Sequence, residues 1–236
     1  MKIIFRTCDD VHSIHGTNRP FGLTKAEISK YCFLSLVRNG FSKEELIVIG
    51  DRLTQEKIQW YKQYSDVVIS NDLGNDGSLR FCFQYAKDNF SDDEWIYFCE
   101  DDYLHTPTFK IITEDFYNTL KSQNVCIHPC DYPDRYKENK KHHVWVSKYT
   151  HWKSIENTTF TFMIKGKTLK ENYDVYLQSC IGARDGFLSD SLYKTGKIIC
   201  VSPMQGLSSH MHEGVMSPIV NWNLILDFIK KNNQTI

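Results

Sequence analysis

The stretch WIYFCEDDY, residues 95–103, decides the fold class of this 236-residue sequence. Its first five residues predict a buried central strand, and three acids, Glu100, Asp101 and Asp102, follow at the carboxyl end. Ligands of open α/β sheets bind beyond the carboxyl ends of the strands. Since adjacent carboxylates repel one another, the pattern predicts a cation or ligand site. The alternative is a solvated acidic turn that caps a helix beginning near Thr108.

Side chains alternate along an extended chain, so Glu100 and Asp102 are expected on one side and Asp101 on the other. This arrangement suits one carboxylate on a hard divalent cation such as Mg²⁺ or Mn²⁺ and another on a sugar hydroxyl. The triplet therefore predicts a site with two different tasks for its acids.

The residues before this strand alternate between short apolar runs and helical patterns. Thr24-Lys25-Ala26-Glu27 is a capping box, and Asn39-Gly40 ends the helix that it opens. Strand and helix alternating at this spacing predict a parallel sheet with right-handed crossovers. The predicted strands are Lys2–Arg6, Glu45–Ile49, Asp66–Ser70 and Glu94–Cys99, and two more helices run from Thr54 to about Tyr64 and from the turn at Gly74–Ser78 to about Asn89.

The pattern is less regular after residue 105. No repeat, low-complexity segment or linker divides the chain, so we expect one domain spanning residues 1–236. The elements predicted here are helices at Thr108–Ser122, Asp185–Thr195 and Asn221–Lys231 and strands at Val125–His128, Thr158–Ile164 and Ile198–Val201.

Composition excludes several classes of protein. The chain is 41% hydrophobic and 24% charged, which is ordinary for a globular protein and excludes disorder. Lys plus Arg is 28 and Asp plus Glu is 29, so no basic field attracts nucleic acid. The N-terminus matches neither a signal peptide nor a membrane span. The eight cysteines lack zinc-site spacing and several lie in apolar runs, which predicts a reduced, cytoplasmic protein.

The acidic triplet and its surroundings resemble the nucleotide-sugar glycosyltransferases of the A-type (GT-A) fold, whose D-x-D metal motif has E-D-D among its variants. The likeness extends to inverting enzymes of the family 2 type and to small glycosyltransferase domains of large algal viruses. It implies an α/β, Rossmann-like fold with a mostly parallel central sheet flanked by helices. It also implies a nucleotide-sugar-binding half at about 1–105, an acceptor-binding and catalytic half at about 106–236, and, for a viral protein, the host cytoplasm.

The resemblance also implies where the donor binds. RTCDD (6–10) lies where these enzymes end their first strand and hold the nucleotide base, and Asp51 matches the acid after their second strand. NDLGNDG (71–77) resembles the turn after the third strand, and the next helix carries Arg80, which is suited to meet a phosphate. The donor-binding residues so implied are Arg6, Thr7, Asp9, Asp51, Gly74, Arg80, Glu100 and Asp101.

Two later segments resemble the parts that carry the chemistry. ARDGFL (183–188) is similar to the region of the catalytic base, usually a Glu-Asp pair; Arg184 replaces the Glu, so the base is Asp185, with Asp190 as second choice. SSHMH (208–212) resembles the histidine segment that completes some metal sites. The metal ligands implied are Asp102, His210 and His212, for Mn²⁺ or Mg²⁺.

The resulting hypothesis is an inverting hexosyl- or deoxyhexosyltransferase that uses a nucleotide-sugar donor, UDP-linked by resemblance, and a glycan or other hydroxyl acceptor. Three alternatives stay open: a sugar nucleotidyltransferase, a metal nuclease, and a non-catalytic binder of sugar nucleotides or glycans. Arg184 in place of an acid keeps the binder open. Simple structural roles also stay open, with Asp185 as a helix N-cap and the two histidines as surface residues.

Overall fold

The computed structural model describes residues 1–9, 18–120, 124–137 and 140–232. Within these ranges the chain forms a nine-stranded central sheet and a separate two-stranded ribbon. The strands are β1 (Lys2–Cys8), β2 (Leu46–Asp51), β3 (Val67–Asn71), β4 (Trp95–Glu100), β5 (Tyr103–His105), β6 (Val125–Ile127), β7 (Val144–Val146), β8 (His151–Ile155), β9 (Phe162–Lys165), β10 (Ile199–Pro203) and β11 (Ser208–His210).

Helices connect most of these strands. Two short 3₁₀ turns (Pro20–Gly22 and Pro133–Tyr136) and a π-helical turn (Ser189–Tyr193) add to them. The α-helices are α1 (Lys25–Arg38), α2 (Gln55–Tyr61), α3 (Gly74–Asn89), α4 (Phe109–Thr119), α5 (Gly166–Glu171), α6 (Tyr173–Ser179), α7 (Asp185–Leu188) and α8 (Trp222–Asn232).

The central sheet has the order β3-β2-β1-β4-β9-β6-β10-β8-β7. β9 and β8 run opposite to the other strands, so the sheet is mostly parallel. β1 and β4 are adjacent and parallel, and Arg6 lies across from Glu100 where they end. The ribbon pairs β11 with β5, which places His210 opposite Tyr103 just after that edge.

Two helical layers bury the sheet. The core on one face includes residues of α1, α2, α4 and α8, and the core on the other face includes residues of α3, α5, α6 and α7. Alternate residues of β1 divide between the faces: Ile3 and Phe5 pack on the first, and Ile4 on the second. Each is fully buried, which stabilises the fold by about 1.5–3 kcal/mol per side chain.

The predictions for the first hundred residues are confirmed in element type and order. The capping box of α1 is present: the Thr24 hydroxyl accepts from the Glu27 N–H, and the Glu27 carboxylate accepts from the Thr24 N–H. The predicted turn at Gly74–Ser78 is wrong, because these residues form the first turn of α3. The carboxylate of Asp51, at the end of β2, accepts the N–H of Gly74 and so stabilises the start of α3.

The second half differs more from the predictions. The sequence missed β5, β7 and β11, each three residues long, and also β8, α5 and α6. The predicted strand Thr158–Ile164 is wrong at its start, because β9 begins at Phe162. The predicted helix Asp185–Thr195 is divided into α7 and the π-helical turn. Asp10, the last residue of the segment RTCDD (6–10), and Ser122, the predicted end of the helix that starts at Thr108, lie outside the described residues.

Seven of the eight cysteines are buried, and all eight are free. This confirms their prediction as small buried hydrophobic residues.

Candidate active site

The three acids after β4 have three different sets of partners. Glu100 accepts a hydrogen bond of 2.7 Å from Nη2 of Arg6, on the α3 side of the sheet. Asp101 accepts from the ammonium of Lys25, on the α1 side. Asp102 instead faces two histidines from the β11 segment. The repulsion expected between adjacent carboxylates is therefore relieved by separate cationic partners, and Asp102 alone has no lysine or arginine among its salt-bridge partners in the described ranges.

Asp102, His210 and His212 form the candidate cation cluster. Oδ2 of Asp102 lies 3.1 Å from Nε2 of His210 and 3.7 Å from Nε2 of His212. One potential ligand atom from each residue lies within 4.8 Å of the others. The structure thus brings together the three residues that the sequence proposed as metal ligands.

Backbone pairing in the ribbon positions these histidines. The N–H of Met211 donates to the carbonyl oxygen of Asp102 at 2.8 Å, which fixes the histidine segment against the end of β4. The imidazole of His210 stacks on the ring of Tyr103, with 4.7 Å between ring centroids and an interplanar angle of 11°. Strand pairing and ring stacking together determine where His210 lies.

Burial and mutual contacts shift the pKa values of the three residues in the cluster. Burial raises the pKa of Asp102, but the charge and hydrogen bond of His210, together with the charges of Lys25 and His212, outweigh it, and the net pKa lies well below the ordinary range. Burial lowers the pKa of His210, and Asp102 outweighs it, so the net pKa is raised. Burial and the neighbouring His210 lower the pKa of His212. Asp102 is accordingly ionised and available as a ligand across the physiological range.

The chemistry of these donors fits a divalent cation. One carboxylate oxygen and two imidazole nitrogens converge, and the 3.7 Å between His212 and Asp102 is too long for a hydrogen bond. Within the described ranges the His212 side chain has no hydrogen-bond partner, so hydrogen bonding does not explain its place in the cluster. Nitrogen ligands favour Mn²⁺ over Mg²⁺.

The β1 residues proposed for donor binding lie beside this cluster. Thr7 donates its hydroxyl to Asp101 at 2.7 Å. Arg6 also contacts α3, through the side-chain oxygen of Asn75 at 3.0 Å. Asp9 accepts the N–H of Thr54 at 2.7 Å and is therefore bonded to the start of α2. Arg6 and Thr7 thus fix the orientation of the acids, and Asp9 connects the end of β1 to α2.

The other three predicted donor positions, Asp51, Gly74 and Arg80, do not share one role. Oδ1 of Asp51 accepts the N–H groups of Leu73 and Gly74 at 2.7 and 3.1 Å. Gly74 has φ +69°, a left-handed conformation that a side chain would strain. Arg80 is exposed on α3 and makes no ion pair with any described residue. Asp51 and Gly74 therefore shape the start of α3, while Arg80 is available to a ligand.

Asp185 lies outside the candidate cation cluster. Together with Asp190 and Trp145 it lines a cavity of about 900 Å³, and Asp102, His210 and His212 are not among the described residues that line it. The loop before Asp185 does reach the carboxyl edge of the sheet, because the N–H of Gly182 donates to Asp76 of α3 at 2.6 Å. Gly182 and Arg6 therefore both contact the first turn of α3.

The pKa of Asp185 lies above the ordinary value of an aspartate. Burial raises the pKa and outweighs the backbone N–H groups of Gly186 and Asp185 itself. α7 has only four residues, which leaves it a weak dipole. A raised pKa makes this carboxylate a stronger base than an ordinary aspartate.

Sequence reasoning missed Lys25 and Tyr132. Lys25 is the first residue of α1, where the helix dipole disfavours a cation, and this mismatch is a signal that could have identified it. Burial lowers the pKa of Lys25, but the charges of Asp101 and Asp102 and the hydrogen bond to Asp101 together outweigh it, and the net pKa is raised. Tyr132, whose hydroxyl lies 3.2 Å from Nδ1 of His210, lies in an irregular stretch with no local signal.

No protein-family model matches the chain, and no curated protein matches it either. Solved structures do. S. aureus TarS 1-349 in complex with UDP has a TM-score of 0.52 at 15% identity, over 88% of this chain and 60% of that chain. A nucleotidyl transferase from Methanothermobacter has a TM-score of 0.50 at 10% identity, over 98% of this chain and 99% of that chain.

These likenesses concern the fold. The chain spans between 36% and 60% of the length of the TarS chains that it matches. No helix within the described ranges is both long and apolar enough to cross a membrane. The predicted fold class is confirmed. It is an α/β fold of the GT-A type, with a Rossmann-like, mostly parallel central sheet flanked by helices.

Proposed function

We propose that this protein is a metal-dependent glycosyltransferase that moves a sugar from a nucleoside-diphosphate donor to a hydroxyl acceptor. The observation that carries the proposal is the convergence of Asp102, His210 and His212 at the carboxyl end of β4. Ligands of open α/β sheets bind at this edge. The likeness in fold to TarS with bound UDP supports a uridine diphosphate donor.

The residues around the cluster suit a diphosphate. A divalent cation held by Asp102, His210 and His212 would offset the negative charge that develops on the departing diphosphate. Lys25 adds a partly buried positive charge that also lowers the pKa of Asp102. Glu100, held by Arg6, is the acid left to accept a hydrogen bond from a sugar hydroxyl.

Asp185 is the proposed catalytic base, and the cavity that it lines is the proposed acceptor site. The volume of about 900 Å³ lies within the range of ligand pockets, and Trp145 offers a ring on which a sugar can stack. Asp185 takes the proton of the acceptor hydroxyl, whose oxygen bonds to the anomeric carbon as the bond from that carbon to the diphosphate oxygen breaks. Attack opposite the leaving group gives inversion.

The test is calorimetric titration of UDP and GDP, with and without Mn²⁺, into the wild type and Asp102→Ala. The control is Asp93→Ala, which removes an exposed carboxylate outside the cluster. We expect Mn²⁺-dependent binding of UDP in the wild type and control and its loss in Asp102→Ala. Nucleotide binding that needs no metal, or that survives in Asp102→Ala, contradicts the donor site.

Two product assays test the reaction itself. Slow hydrolysis of the UDP-sugar donor is expected of an enzyme and separates it from a non-catalytic binder. NMR of the transferred sugar reports the anomer. Retention of configuration would remove Asp185 from the role of base.

A sugar nucleotidyltransferase is the second candidate function. The nucleotidyl transferase from Methanothermobacter supports it, because the match covers nearly all of both chains. Such an enzyme would hold a triphosphate on the loop after β1, and residues 10–17 of that loop lie outside the described ranges. Release of pyrophosphate from UTP or CTP with a sugar 1-phosphate would favour this candidate, and release of UDP from a UDP-sugar would favour the glycosyltransferase.

A further inference from the structure

Tyr132 contacts His210 on the side opposite Asp102. Its hydroxyl lies 3.2 Å from Nδ1 of His210, while Nε2 of the same ring lies 3.1 Å from Asp102. The hydroxyl is also 2.5 Å from that of Tyr103, which is 2.7 Å from Oγ1 of Thr159. The two nitrogens of His210 thus have different partners, a phenol and a carboxylate.

We propose that Tyr132 is a positioning residue that keeps Nε2 of His210 directed at the cation cluster and thereby sets the affinity of the cluster for Mn²⁺. This inference rests on the proposed cation site. The stack on Tyr103 fixes the plane of the imidazole, but the plane is unchanged when the ring rotates by half a turn. On the side of the ring away from the cluster, a hydrogen bond at Nδ1 stabilises the orientation that directs Nε2 at Asp102, and Tyr132 supplies it.

The ring of Tyr132 is itself held firmly. It stacks on His128, with 5.5 Å between centroids and an interplanar angle of 24°. The guanidinium of Arg135 lies 5.1 Å from the ring centroid, and Arg135 donates to the carbonyl of Cys130 at 2.6 Å. Because these contacts involve the ring and not the hydroxyl, a phenylalanine at this position retains them.

The hydrogen bonds have one consistent direction when His210 binds a cation. Nε2 then uses its lone pair on the cation, so Nδ1 carries the proton and donates to the oxygen of Tyr132. Tyr132 donates to Tyr103, and Tyr103 donates to Thr159. Thr159 also accepts the N–H of Thr161 at 3.2 Å. Every acceptor in the chain has a donor, so the network supports the ligand form of His210 without leaving a buried hydroxyl unpaired.

The experiment is calorimetric titration of Mn²⁺ into the wild type, Tyr132→Phe and Tyr136→Phe. Tyr136 is the matched control: it ends the 3₁₀ turn that Tyr132 precedes, and its hydroxyl donates to Asp131 and lies 2.9 Å from the carbonyl oxygen of Met204. Loss of such an outer hydrogen-bond partner typically weakens metal binding about 10–100-fold. We expect Tyr132→Phe to bind Mn²⁺ at least about tenfold more weakly, and Tyr136→Phe to bind like the wild type.

Equal Mn²⁺ affinity of Tyr132→Phe and the wild type overturns the inference and leaves the cation site intact. Absence of Mn²⁺ binding by the wild type overturns the cation site and the inference together. Nitrogen-15 NMR of wild-type protein saturated with diamagnetic Zn²⁺ gives a readout that needs no variant. A proton on Nδ1 of His210 is expected, and a proton on Nε2 in the metal-bound state overturns the inference.

Discussion

Lys25→Met tests whether the acids after β4 are held by separate cations. Lys25 bonds to Asp101, and the two side chains are 20% and 8% exposed. Methionine keeps most of the length of the side chain but leaves Asp101, among the described residues, with the Thr7 hydroxyl at 2.7 Å and the Cys8 N–H at 3.4 Å. Removal of one partner from a buried ion pair destabilises a protein by about 3–5 kcal/mol. Because two donors remain, we expect a loss of about 3 kcal/mol in the free energy of unfolding.

Urea-induced unfolding measures this loss against a matched control. Lys194→Met removes a lysine whose pair with Asp190 is exposed, at 52% and 68%, so the expected loss is below about 0.5 kcal/mol. Adding Asp101→Asn to Lys25→Met removes the unpaired charge and should restore part of the stability. The reasoning is refuted when Lys25→Met is as stable as Lys194→Met, or when the second substitution destabilises the protein further.

Two other predictions concern the acceptor half and the packing of the sheet. The raised pKa of Asp185 places the acid limb of kcat/KM for sugar transfer above the ordinary aspartate range. Activity is full while the carboxylate is ionised and falls as the pH drops through that pKa. Asp185→Asn should lower kcat by about 10²-fold or more and remove the limb; a limb that persists contradicts the assignment. In Gly166→Ala the new Cβ would lie 2.1 Å from the carbonyl oxygen of Ser91, so we expect a loss of about 2–3 kcal/mol. Gly186→Ala is the control, since its Cβ would meet nothing within 4 Å, and equal unfolding free energies for the two variants would refute the clash.

The parts of the fold that the sequence predicted are those specified by local pattern. β1 to β4 and the helices between them have apolar runs, a capping box and turn residues within a few positions of each element. β5 and β11 have three residues each, too few for a periodicity to be recognised. Their pairing, Ser208 with His105, joins distant parts of the chain. Local sequence patterns therefore could not predict the ribbon that positions His210. Only the family resemblance suggested that the histidines are metal ligands.

The same difference explains why the sequence identified three acids but not how they divide their tasks. Alternation along the strand predicts which way the side chains of Glu100, Asp101 and Asp102 point. It does not predict which residues they meet. Arg6 and Lys25, which neutralise the first two, come from the start of the chain, and His210 comes from near its end. Because Arg6 and Lys25 already compensate Glu100 and Asp101, a cation gains most by binding Asp102, which faces two neutralisable imidazoles instead of a fixed positive charge. The proposed metal site thus depends as much on the ion pairs of the neighbouring acids as on its own three proposed ligands.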